Sequence, residues 1–115
     1  MPKWIVSKSI EIDASHIVEG YNGPCARLHG HRWRIEASII VEKLNEIGIG
    51  IDFSEIKQKL ENLNLDHQHL NDIISPATAE SLAKYIFDTL KQQGLNVLKV
   101  TVWETPNNKI EYFDD

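Results

Sequence analysis

Cys25-Ala26-Arg27-Leu28-His29-Gly30-His31-Arg32-Trp33-Arg34-Ile35-Glu36-Ala37-Ser38-Ile39-Ile40-Val41 is the stretch on which the reading of this chain turns. Its second half alternates. Trp33, Ile35, Ala37, Ile39 and Val41 share one parity, while Arg32, Arg34, Glu36, Ser38 and Glu42 fall largely on the other, the pattern of a half-buried strand. Its first half holds two imidazoles and the single thiol of the chain within seven residues. Successive strand side chains point to opposite faces, so extending the strand backwards puts His29 and His31 at the end of the core-facing row. Two neutral imidazoles side by side on an apolar face need a common partner, and a divalent metal supplies one.

Towards the N-terminus, Trp4, Val6, Ile10 and Ile12 share a parity opposed by Lys3, Ser7, Ser9, Glu11 and Asp13, which predicts a first strand over 3–13. Ala14 and His16 continue its apolar row. Ile17–Leu28, with Gly20, Gly23 and Pro24, is a loop joining two strands best paired antiparallel, and loops of that length are more often functional than decorative. Such pairing sets His16, at the exit of the first strand, against His29 and His31 at the entry of the second. A lone core-facing histidine is more often a hydrogen-bonded structural residue, but His-x-His with a third histidine across a hairpin is far more specific. An all-imidazole set suits zinc better than calcium or magnesium, which prefer oxygen, and three protein ligands leave a fourth position open, as catalytic zinc sites do.

Beyond a loop at Glu42–Gly50, Asp52-Phe53-Ser54-Glu55 has the form of a capped helix start, and Phe53, Ile56, Leu60 and Leu63 follow at helical spacing. Leu65–Asn71 reads as a polar loop containing His67 and His69. Thr78 is the expected N-cap of a second helix with Leu82, Ala83, Ile86, Phe87 and Leu90 as its buried stripe, and Gly94 ends it. A third strand at Val97–Glu104 carries Leu98, Val100 and Val102 inward and ends at Glu104. Thr105–Lys109 is a turn, and Ile110–Phe113 a short last strand. The ββααββ order predicts an α+β fold: a four-stranded antiparallel sheet with two helices packed on one face.

The 115 residues make one domain, 1–115, with an ordinary globular composition of 42% hydrophobic and 25% charged residues. A net charge of −5 gives no electrostatic footprint for nucleic acid or an anionic membrane. The start has no signal-peptide core, no apolar run approaches transmembrane length, and one cysteine cannot build a disulfide framework. Together these predict a cytoplasmic protein.

Six further residues bear on the chemistry. Cys25 is open to three readings: a fourth zinc ligand closing a structural site, a thiol lowered in pKa to act as base or nucleophile, or a small buried residue. Asp66-His67 is either a surface pair or a relay in which the carboxylate orients the imidazole for proton transfer; His69 has no assigned partner. Glu104, inward by parity, is either solvated at a frayed strand end or kept to accept a fork of N–H donors from a planar heterocycle such as a 2-amino-4-oxo pyrimidine. Arg27 is either solvated or placed to meet a phosphate group.

Six motifs occur in order along nearly the whole chain: Asp13-Ala14-Ser15-His16, Cys25-x-x-x-His29-Gly30-His31, Ile51-Asp52-Phe53, Leu65-Asp66-His67-x-x-Leu70-Asn71, Thr78-Ala79-Glu80 and Trp103-Glu104-Thr105. In these the chain resembles the 6-pyruvoyl-tetrahydropterin synthase / 6-carboxy-tetrahydropterin synthase family. The resemblance implies a tunnelling fold, in which sheets of several subunits close into a barrel, commonly a homo-hexamer of two stacked trimers with active sites at subunit interfaces. It implies that His16, His29 and His31 bind Zn2+, that Cys25, Asp66 and His67 handle protons, and that Glu104 and Thr105 bind a small-molecule pterin. The implied substrate is 7,8-dihydroneopterin triphosphate. The Cys25 spacing resembles the 6-carboxy branch, which releases acetaldehyde and triphosphate; the 6-pyruvoyl branch eliminates triphosphate only, and a non-catalytic pterin-binding oligomer is the reading from another class. Ser75-Pro76-Ala77-Thr78 departs from the family's usual Asn-Pro-Thr, in a region of subunit contact.

Overall fold

The computed structural model describes residues 2–114. Two long strands dominate it: β1, Trp4–His16, and β2, His29–Val41. They pair antiparallel without interruption from Trp4–Val41 to His16–His29. Because the side-chain period along a strand is two, a slip by one residue would turn Trp33, Ile35, Ala37 and Ile39 out of the core. All four are buried, together with Ile12 and Ala14 from β1.

Helix α1, Phe53–Glu61, starts where Asp52 accepts from the Ser54 amide at 2.8 Å. Helix α2, Ala79–Gln92, starts where Thr78 accepts from the Ser81 amide at 3.1 Å. These side chains satisfy backbone donors that a first helical turn leaves free. Gly94 ends α2 at φ 92°, a left-handed conformation that costs a glycine little. Strands β4, Val97–Thr105, and β5, Asn108–Tyr112, follow. Ile56 and Leu60 of α1 and the Leu82, Ala83, Ile86, Phe87 and Leu90 stripe of α2 pack with the inward residues of β1, β2 and β4 in one core. Both helices therefore cover the same face of the sheet, and the opposite face carries Glu11, Asp13, Arg32 and Arg34.

The sheet departs from the four-stranded antiparallel expectation. It has five strands in the order β3-β1-β2-β4-β5, where β3 is the two-residue Gln68–His69 pairing parallel to Ala14–Ser15 of β1. Two residues leave no periodicity to read, and the pairing forms because the segment between the helices is tied to the edge of β1. β1 also runs on to His16 rather than ending at 13. Two expected core residues are exposed instead: Trp4 at 43% and Phe53 at 59%. Phe53 is the first residue of α1, ahead of its buried stripe, and with Trp4, Leu44 and Ile49 it lines a shallow apolar cavity at the end of the sheet away from the histidines.

Candidate metal centre

The rim where β1 ends and β2 begins brings His16, His29 and His31 together. One ring nitrogen from each lies within 4.8 Å of the others. His16 and His29 are cross-strand partners, and Ala14 pairs with His31, so strand register alone produces the convergence. His16 is fully buried and the other two are half-buried.

The tautomers are held as well. His16 Nδ1 lies 2.8 Å from the Ala77 carbonyl and His29 Nδ1 lies 2.6 Å from the Arg27 carbonyl. A carbonyl only accepts, so each Nδ1 carries the proton and each Nε2 is left with a bare lone pair. The Nε2 atoms of all three histidines are buried without a hydrogen-bond partner. Three clustered ring nitrogens left without partners would be costly in a protein core, and a divalent cation satisfies all of them at once. The residues present therefore fit a metal with three imidazole ligands.

Trp33 builds the wall beneath this cluster. It is fully buried, its Nε1 donates to the Ala14 carbonyl at 3.1 Å, and its ring meets those of His16 and His31 edge-on at 4.9 and 5.3 Å. Sequence reasoning placed Trp33 in the core without seeing this support, and it gave no hint of the Ala77 and Arg27 carbonyls. Peptide oxygens leave no mark on side-chain patterns.

Glu104 closes the row on β4, as its parity predicts. Its carboxylate oxygens lie 3.5 Å from His31 Nε2 and 3.9 Å from His16 Nε2, so the side chain faces the cluster instead of fraying into solvent. Burial holds the His31 imidazole below its usual pKa, with His29 and His16 adding to the effect and Glu104 opposing it. Glu104, Thr105, His31 and Trp103 share a cavity of about 570 Å³.

Cys25 sits half-buried in a short 3₁₀ turn, Pro24–Ala26, of the loop between β1 and β2. Among the described residues, it belongs to neither group of side chains close enough to share a metal ion. Asp66 and His67 form the second such group with Asp13. Asp66 Oδ2 lies 3.0 Å from His67 Nδ1, and the pair is exposed. Donation from the Asp13 amide, at 2.8 Å, is the main cause holding the Asp66 carboxyl below its usual range. A second cavity, lined by His31, Arg32, His67 and His69, connects His67 with the histidine row. Arg27 is exposed, and its contribution here is its carbonyl.

Comparison with known proteins agrees with this geometry. A family model described as 6-pyruvoyl tetrahydropterin synthase matches residues 5–115. A 6-carboxy-5,6,7,8-tetrahydropterin synthase of Synechocystis is 36% identical, over 96% of this chain and 93% of that protein. One from Aquifex aeolicus is 28% identical, over 98% and 99%. The solved structure of Caenorhabditis elegans 6-pyruvoyl tetrahydropterin synthase superposes with a TM-score of 0.85 at 23% identity, covering 100% of this chain and 98% of that one. At that identity it speaks for the fold, and the match of sequence over nearly every residue completes the assignment: the chain belongs to the 6-pyruvoyl tetrahydropterin synthase family.

Proposed function

We propose that this protein is a zinc-dependent lyase that converts 7,8-dihydroneopterin triphosphate and water into 6-carboxy-5,6,7,8-tetrahydropterin, acetaldehyde and triphosphate. The observation that carries the reading is the set of three buried, partnerless Nε2 atoms in a chain 36% identical to a protein named for that product. Zinc is the metal of choice because the donors are all nitrogen. Bound to His16, His29 and His31, it would act as a Lewis acid on the side-chain oxygens of the substrate.

The chain's own residues supply the rest. Cys25, outside the ligand set, is the base that takes and returns protons at the carbons of the side chain. In the Asp66–His67 pair the carboxylate, kept ionised by the Asp13 amide, orients the imidazole through Nδ1 and leaves Nε2 to exchange a proton. Glu104 accepts the N–H fork of the pterin ring, and Thr105 lines the same cavity. The protein works as a homo-oligomer, a hexamer of two trimers with active sites between subunits, in the cytoplasm. No described helix is long and apolar enough to cross a membrane.

Incubating the purified protein with the triphosphate and identifying products by mass tests the reading. Acetaldehyde with triphosphate supports it. A pyruvoyl pterin would move the protein to the other branch, and no turnover of metal-loaded protein would end the enzyme assignment.

A further inference from the structure

The segment between the helices fastens itself to the edge of β1 largely with side chains. Asp66 Oδ1 accepts from the Asp13 amide at 2.8 Å, and the Asp13 carbonyl accepts from the His67 amide at 2.6 Å. Ser15 Oγ and His69 Nδ1 lie 3.0 Å apart. Asn71 takes both backbone groups of Ile17, accepting from its amide and donating to its carbonyl, each at 2.9 Å. The backbone anchors fall at residues 13 and 17 because alternate residues of an extended chain turn their backbone groups to the same edge, and Ser15 adds its side chain between them. Regular pairing is confined to the two residues of β3.

Inside this clasp His67 is the strained member. Its φ of 62° is a left-handed conformation that residues with a Cβ seldom adopt and that persists only where neighbours over-determine it. Its side chain is 77% exposed, so packing does not hold it. The restraints are the bonds on either side: Asp66 and Asp13 before it, Ser15 and His69 after it. His69 occupies one of the unspecified positions in Leu65-Asp66-His67-x-x-Leu70-Asn71, so the motif itself assigns it nothing.

We infer that His69 is a positioning residue: its hydrogen bond to Ser15 fixes the backbone after His67, so that the His67 imidazole stays in the cavity it shares with His31 and Arg32. This rests on the proposed proton-transfer role of His67. Cutting the Ser15–His69 bond releases one side of the strained residue and lets the exposed imidazole turn away from His31 and Arg32, while His16, His29 and His31, held by β1 and β2, stay in place.

Removal of the bond from either end, in His69→Ala and Ser15→Ala, should lower kcat about 10- to 100-fold, the size expected for a misplaced catalytic group, with KM and metal content changed by less than about twofold. The double variant should be no worse than either single one, and His69→Gln, which can still bond Ser15, should recover most of the rate. In a His67→Ala background, removing His69 should cost nothing further. A full additional loss there, or loss of metal in His69→Ala, overturns the inference. Hydrogen exchange of the His67 amide gives a readout independent of turnover: it should accelerate in both single variants, and unchanged exchange also overturns the inference. If the unaltered protein leaves the triphosphate intact while exchange still responds, the reaction assignment fails and the restraint on His67 stands.

Discussion

His16, His29 and His31 project from the ends of two long paired strands into the core row, whereas His67 stands on a two-residue edge pairing with its side chain in solvent. The first group is placed by pleat and register and wedged against Trp33. Two of its three Nδ1 protons are pinned by carbonyls. The second is placed by hydrogen bonds made one at a time along a strand edge. The two kinds of support suit different chemistry. A metal needs ligands that do not move, and burial among strands supplies that stiffness. In the proton-transfer role proposed for it, His67 has to reach solvent and substrate in turn, and an exposed backbone tethered only by its own bonds allows that.

The contrast breaks most sharply at His31. His31→Ala should reduce metal content far below one ion per chain and lower turnover by at least about 10⁴-fold, since the several kcal/mol that a metal contributes to the transition state go with it. Metal analysis beside the activity assay reads this directly, and full occupancy in the variant would show that the three imidazoles are not the ligands.

Cys25→Ala tests whether the metal centre is open or closed. With the thiol outside the imidazole group, the variant should keep its metal and its fold while turnover drops about 10²–10⁴-fold, the contribution of a positioned proton-transfer group. Loss of metal with destabilisation would instead make Cys25 a ligand, because structural metal binding is itself folding free energy.

Glu104 is a half-buried carboxyl side chain at the end of the core-facing row, and Glu104→Gln separates its two surroundings. The amide presents donors where the pterin also presents donors, so affinity should fall by about 2–4 kcal/mol, roughly 30- to 1000-fold, with metal retained. Titration with a pterin product analogue measures it. Unchanged affinity would put Glu104 outside the pocket, and metal loss would assign the 3.5 Å approach to His31 to coordination.

The smallest effect belongs to the exposed pair. Because the Asp13 amide holds the Asp66 carboxyl below its unfolded value, the carboxylate stabilises the fold at pH above about 4. That contribution is lost as pH falls through the lowered folded pKa. Asp66→Asn should therefore flatten the acid limb of a stability-against-pH profile: stability falls slightly near pH 7, where the carboxylate contributes, and is unchanged at pH values below the lowered pKa. An identical acid limb in the variant would remove Asp66 from the acid response.

Much of this architecture was legible in residue order. The parity of β2 placed Trp33, Ile35, Ala37 and Ile39 inside, and carried back to His29 and His31 it located the histidine row; the caps at Asp52 and Thr78 and the stripe of α2 were equally plain. Trp4 and Phe53 kept the right period and are still exposed, because periodicity says which face a residue takes and not whether the opposing layer extends that far.

By itself the sequence determined the two long strands, their antiparallel pairing, the two helices and the meeting of three imidazoles at one rim. These follow from local rules, a period of two or of 3.6 and the capping of free amides, which repeat along the chain and can be read from it. Tertiary structure alone decided the fifth strand, the carbonyls of Ala77 and Arg27 that set the tautomers, and the clasp on β1 that holds His67. Each of those is a single contact between residues distant in the chain or through a peptide oxygen. Such contacts have no period and no residue-type signature, and they exist only once the sheet and helices have fixed where the backbone runs.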